Sequence, residues 1–375
     1  MKQWLKICIL ALIFCATLSC AESTSNASKA FENEVYIPTH ASGFVIMTDN
    51  EGNTLLRVTR PWQGDNTQEQ SLAIFTDEAS ATGYSGEHII GNAQRIVCMS
   101  TSHIAMLESL DLTEYIVGVS GKEYIMNSAV VGNEAVLDVG YDSNIDFERL
   151  ISLRPDIVLM YGITSENSII TAKLRELGIP YLYLGDYTEQ SPLGKAEWIV
   201  AIAEIVGCRE LGIEIFNDVV ARYEELRGKV ATTSRPKVMF NLPYQDVWYM
   251  PADDSYMVRL IEDAGGDYIY KGKNLSSGSQ GISLEEALLL VREADIWMNV
   301  GQCTTLDDLR AAAPHFSDCA VVRSGNVYNN NGRRTASGGS DFWESAIVHP
   351  DVVLRDLISI MRGQSDSLYY HHKLK

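Results

Sequence analysis

The residues best equipped for chemistry gather near the C-terminal end of this 375-residue chain. Residues 329–343 read N-N-N-G-R-R-T-A-S-G-G-S-D-F-W. Gly and Asn mark this stretch as a loop. It sets Arg333 beside Arg334 in a chain whose formal net charge is −19. A guanidinium grips a carboxylate or phosphate through two parallel hydrogen bonds, so the pair suits an anionic ligand. The alternative is a solvated loop whose arginines pair with surface acids. Phe342 and Trp343 follow directly, and Tyr124, Tyr161, Trp248, Tyr249 and Trp297 fall near the ends of apolar runs. Together they offer aromatic surface to a large planar or apolar ligand. Ser100, Thr101 and Lys122 add hydroxyls and an ammonium in similar positions. Aromatic residues near strand ends also fill cores, so about half of this set is expected to be packing.

Several chemistries find no support. The sequence has no G-x-S-x-G, no P-loop, no H-E-x-x-H and no dinucleotide fingerprint. A free-metal site needs converging His and carboxylate ligands. Between Ile104 and Pro314 there is no His, which leaves His103, His315 and His349 without central partners. The acidic balance argues against nucleic acid and against a basic membrane-binding face. Cys98, Cys208, Cys303 and Cys319 show no metal-ligand spacing. Buried free thiols are the favoured reading, with a Cys303–Cys319 disulfide as the alternative.

The elements that must position these residues announce themselves through a repeat. E-R-L-I-S-L-R-P-D-I-V-L-M-Y-G starts at Glu148, and E-A-L-L-L-V-R-E-A-D-I-W-M-N-V-G starts at Glu286. Each phrase is a short amphipathic helix, an Asp (Asp156, Asp295), an apolar strand and a Gly (Gly162, Gly301). An acidic residue and another helix follow each copy. Two copies half a chain apart predict an α/β protein with two lobes of similar parallel-sheet build and a cleft between them. Residues 31–92 are β-rich, with a hairpin about the N-E-G turn of GFVIMTDNEGNTLLRVTRPW and a further strand at 71–75. Residues 93–191 alternate strands and helices. Residues 192–230 are helical, with Pro192 at a first turn and Gly207 and Gly212 as possible breaks; a second α/β set fills 231–375. The 272–281 stretch, G-K-N-L-S-S-G-S-Q-G, is expected to be a mobile loop near the cleft.

Residues 1–20 have a basic start at Lys2 and Lys6, an apolar run over Ile7–Leu18 and an end at Ser19-Cys20. This resembles a bacterial lipoprotein signal, with Cys20 acylated and residues 21–30 as a flexible tether. No other stretch is long and apolar enough to be a transmembrane helix.

The order of these segments carries a wider resemblance. A strand running into the Ser/Thr-rich helix start at 100–102, G-V-S at 118–120, E-R-L-I-S-L-R-P-D-I-V-L, L-R-E-L-G-I-P, P-L-G-K-A-E-W and a closing P-D-V-V-L-R-D-L resemble a helical-backbone substrate-binding protein of an ABC importer. The matching branch binds ferric siderophores, haem or cobalamin, and the resemblance covers about residues 93–362. It implies two lobes joined by one long helix, here 192–230, and a ligand captured between them without cofactor or chemistry. It implies a periplasmic, membrane-anchored monomer that delivers an iron chelate or corrinoid to a permease and its ATPase. It also implies that one acid atop each lobe docks with the permease. Glu166 matches in the first lobe and Asp307 in the second, with Asp308 as the alternative. The other readings are a zinc or manganese binding protein and a chelatase-like enzyme.

Overall fold

The computed structural model describes residues 31–63, 68–163, 165–230, 234–272 and 278–375. Cys20, the tether 21–30 and residues 273–277 of the expected loop lie outside the described residues.

The N-terminal segment forms one five-stranded sheet. Its strands are β1 (Asn33–Tyr36), β2 (Phe44–Thr48), β3 (Thr54–Val58), β4 (Gln70–Phe75) and β5 (His88–Ile90), hydrogen-bonded in that order. The expected hairpin is β2–β3, paired antiparallel from Phe44↔Val58 to Thr48↔Thr54. Asp49 closes its turn by accepting from the Glu51 and Asn53 amides. Period-2 alternation gives the sheet two apolar faces. Phe44, Ile46, Leu56, Val58, Leu72 and Ile74 join the main core, while Leu55, Ala73 and Phe75 pack on Phe31. The segment is therefore built into the body of the protein.

The first lobe carries β6 (Ile96–Cys98), β7 (Ile116–Val119), β8 (Leu137–Asp138), β9 (Ile157–Met160) and β10 (Tyr181–Tyr183). Their order is β10-β9-β6-β7-β8, all parallel. The second lobe repeats the plan. Its strands β11 (Lys237–Phe240), β14 (Asp267–Tyr268), β16 (Ile296–Met298), β17 (Val327–Asn329) and β18 (His372–Lys373) lie in the order β14-β11-β16-β17-β18. Only its edge departs from the parallel plan, because the chain terminus returns as β18 antiparallel to β17. A three-stranded antiparallel sheet of β12 (Pro243–Tyr244), β13 (Val247–Pro251) and β15 (Ser279–Ile282) sits beside it. Residues 279–281, the end of the stretch read as loop from its Gly and Ser content, thus belong to a paired strand.

The two repeat aspartates do the same job in each lobe. Asp156 accepts from the Gln94 and Arg95 amides, both at 2.8 Å, and Asp295 accepts from the Lys237 amide at 2.8 Å. Each carboxylate pins the start of the strand that pairs with its own, β6 beside β9 and β11 beside β16. An aspartate before a strand thus satisfies amides that the ladder leaves free.

Residues 192–229 hold two helices rather than one. Ser191 caps Pro192–Ile205 through a bond from the Gly194 amide at 2.8 Å. Gly207, at φ 77°, ends it, and Arg209–Gly228 follows. Gly212 breaks nothing. It lies inside the second helix, where a Cβ would come within 2.5 Å of the Ala203 Cβ, so it lets the two helices close on each other. Every residue of Pro192–Ile205 is buried. This helix touches the first-lobe helix Thr101–Ser109 and the second-lobe helices Tyr256–Asp263 and Pro350–Met361.

Candidate ligand-binding site

A cavity of about 320 Å³ lies where the lobes meet. The first lobe gives it Ser100, Ser102, Tyr161, Asp186 and Tyr187. Ser100 follows β6, Tyr161 follows β9, and Asp186 and Tyr187 follow β10, so the carboxyl ends of parallel strands bring them together. The Pro192–Ile205 helix adds Pro192 and Lys195. The second lobe adds Tyr256 and Leu260 from one helix, Phe342 and Trp343 from the Asp341–Glu344 turn, and apolar residues between Ala346 and Val353.

Local bonds hold these groups in place. Ser100 caps the Thr101–Ser109 helix by accepting from the Ser102 amide. The Tyr187 hydroxyl donates to the Gly162 and Ile163 carbonyls. Phe342 and Trp343 meet edge to face at 5.1 Å. Phe342 is buried, whereas Trp343 is 59% exposed.

The lysine on the cavity floor is held from within. Lys195 Nζ donates to the Asp186 and Tyr187 carbonyls at 3.1 and 2.9 Å and lies 4.6 Å from the Tyr256 ring centroid. Burial pushes this ammonium down to about 8, with Asp186 and Glu189 opposing. Burial also raises the Asp186 carboxyl. Beneath it, His103 is wholly buried and is pushed down to about 3 by loss of solvation, so its imidazole is neutral at pH 7. Its 3.9 Å approach to Asp186 is therefore a contact and not an ion pair.

Ser100, Tyr161, Phe342 and Trp343 are the sequence candidates that reach the cavity. Thr101 stands at its edge and donates to the Trp343 carbonyl at 3.3 Å. The others lie elsewhere. Lys122 closes its own loop, donating to the Asn133 and Val136 carbonyls at 2.8 Å each. Tyr124 is exposed beside Tyr141. Trp248 and Trp297 are fully buried; they donate to the Phe240 and Asn241 carbonyls and pack with Phe316 as core of the second lobe. Tyr249 points the other way from the same strand and is exposed. Arg333 is held by Asp341 at 2.6 Å and lies over the Tyr369 ring, while Arg334 is exposed and its backbone pairs antiparallel with that of Ser340. Neither arginine lines the cavity.

Sequence reasoning missed Asp186, Tyr187, Lys195 and Tyr256. Lys195 left a signal, as a lone cation in the otherwise apolar helix start P-L-G-K-A. Among the described residues no group of three or more His, Cys, Asp or Glu side chains could hold a metal ion, and Cys98, Cys208, Cys303 and Cys319 are free thiols.

The proposed docking acids differ in freedom. Glu166 accepts from Tyr181 at 3.1 Å and from Arg175 at 3.2 Å, and Arg175 also reaches Glu87. Asp308 closes a capping box with Thr305 and accepts from the Thr304 amide and hydroxyl, which holds its carboxyl down at about 2. Asp307 has an 89% exposed side chain and pairs with Arg310, three residues on, at 2.7 Å.

Two α/β lobes, a buried helix between them and a cavity at strand ends define a bilobal binding protein. The chain matches the periplasmic binding protein family over residues 96–331 and belongs to it. An uncharacterized lipoprotein of Methanocaldococcus jannaschii is 25% identical, covering 97% of this chain and 94% of its own. An uncharacterized ABC transporter substrate-binding lipoprotein of Bacillus subtilis is 22% identical over 77% of this chain and 90% of its own. Among solved structures, the periplasmic heme-binding protein HutB of Vibrio cholerae superposes with a TM-score of 0.55 at 17% identity, covering 70% of this chain and 98% of its own. The family is one of substrate-binding proteins, not enzymes. No described helix is long and apolar enough to cross a membrane.

Proposed function

We propose that this chain captures a planar, largely apolar iron chelate such as haem, or a corrinoid, between its lobes and hands it to an ABC permease. The observation that carries this is the aromatic cavity at the carboxyl ends of β6, β9 and β10, closed from the second lobe by Phe342 and Trp343. At about 320 Å³ it lies at the small end of the range for ligand pockets, so a porphyrin or corrin enters with the lobes further apart. Lys195 already bonds two backbone carbonyls and Arg333 is taken by Asp341, which favours a neutral or weakly anionic cargo over a highly charged catecholate.

In this reading Cys20 carries a lipid anchor, the chain is a periplasmic monomer, and the lobe boundaries fall at 93–191 and 231–375. The exposure of Asp307 and the use of Asp308 as a cap favour Asp307 as the second-lobe docking acid, with Glu166 in the first. Rim charges set register and encounter more than affinity. Uptake of labelled cargo by cells expressing the permease tests this. The Glu166→Ala, Asp307→Ala double variant should lose uptake by roughly tenfold or more while its ligand affinity stays within about twofold. Undiminished uptake in that variant would remove both acids from docking.

A further inference from the structure

One segment of the second lobe is fastened to the first by its own backbone and side chains. The Glu344 carboxylate, 2% exposed, accepts from the Met126 and Asn127 amides at 2.7 Å each. Those partners lie 218 and 217 residues away. Ser337 donates to Glu123 at 3.2 Å, and Thr101 donates to the Trp343 carbonyl at 3.3 Å. Between them Gly339 lies flush against the first lobe, where a Cβ would sit 1.9 Å from the Tyr124 carbonyl oxygen. The same segment carries Phe342 and Trp343 into the cavity wall.

We infer that residues 337–344 form a strap across the lobe interface, and that Glu344 is the latch that positions the Phe342–Trp343 wall and governs cargo exchange. The gating part rests on the reading of the cavity as the ligand site. The latch itself rests only on the contacts above.

A carboxylate accepting two backbone N–H groups makes short, charge-assisted bonds. With the lobes closed those two amides have Glu344 as their acceptor. Removing the carboxylate leaves both donors, the Asn127 amide buried and the Met126 amide partly so, without that acceptor unless the lobes part and water reaches them. Burial raises the Glu344 carboxyl to about 7, which the two amides only partly offset. Gly339 is required for the same closure, because any side chain there would wedge the strap off Tyr124.

Hydrogen exchange of the folded protein, read on peptides spanning 122–130 with 157–160 as an internal control, tests the latch with two independent variants. Glu344→Ala removes the acceptors, and Gly339→Ala inserts a wedge without touching them. Both should speed exchange at Met126 and Asn127 by roughly ten- to hundredfold while 157–160 stays protected. Unchanged exchange in both variants would overturn the strap. Dissociation of haemin and of cyanocobalamin, followed by stopped flow, tests the gate. Whichever of the two binds should leave both variants at least roughly tenfold faster. Faster exchange with an unaltered dissociation rate would overturn the gating role. Faster exchange with neither probe bound would leave the latch standing and count against the cargo reading instead.

Discussion

Glu197→Ala is expected to cost about 4 kcal/mol of stability and to lower the melting temperature by roughly 5 °C. Glu197 is fully buried in the helix between the lobes. Its carboxylate accepts from the Tyr36 hydroxyl, the Thr39 amide and hydroxyl, and the His40 and Ala41 amides, at 2.6 to 3.2 Å. Glu189 continues the row, accepting from the Ser42 and Gly43 amides and from the Trp198 indole. The backbone from Thr39 to Gly43 belongs to no helix or strand until β2 begins, so two buried carboxylates serve as its hydrogen-bond acceptors. Alanine would leave these part-buried donors without their acceptor, and each partner lost where water does not replace it costs on the order of 1–3 kcal/mol. Glu197→Gln should fall between the two, since one amide oxygen can still accept. A melting temperature within about 2 °C of the wild type for the alanine variant would mean that the segment is held by its apolar face alone. The consequence for function is positional. The helix that this network braces also carries Lys195 to the cavity floor, so the N-terminal sheet supports the site without touching the ligand.

Trp343→Ala should do the reverse, weakening cargo binding by about 2 kcal/mol, roughly thirtyfold, with a stability change under about 1 kcal/mol. Trp343 is on the cavity yet 59% exposed, so the folded state gains little from it. A planar ligand would cover that surface and stack on the indole. Phe342 is less suited to the test, because it also packs on Tyr370 and His371 and its loss would disturb the second lobe. Undiminished affinity in Trp343→Ala would take the Asp341–Glu344 turn out of the ligand wall.

The parts of this fold that sequence exposes are those governed by local pattern. The repeated helix–Asp–strand phrase gave both lobes, and the structure adds why Asp156 and Asp295 recur: each fastens the neighbouring strand. Gly207 ends a helix through its own backbone, and the β2–β3 hairpin follows from alternation around N-E-G. What failed depends on distant partners. Arg333 reads as a ligand group until Asp341 and Tyr369 are seen beside it. Trp248 and Trp297 read as cleft aromatics until Phe316 packs against both. The return of the chain terminus as β18 has no local signal in L-Y-Y-H-H-K. Asp308 is the exception, since T-x-x-D before a helix is a capping pattern legible in one dimension. Lys195 and Glu197 were both visible as charges in a helix that is buried all round, a position where a charge needs a purpose.

A cavity built for a planar, weakly charged chelate should discriminate among ligands of similar size. Calorimetric titration of the protein from residue 21 onward with cyanocobalamin, haemin and a ferric tris-catecholate, on wild type and Trp343→Ala side by side, tests it most directly. The expected result is saturable one-to-one binding of the corrinoid or the haem, no comparable binding of the catecholate, and a clear loss of affinity in the variant. Binding of the catecholate alone, equal affinity in both proteins, or no binding to the folded wild type would contradict it.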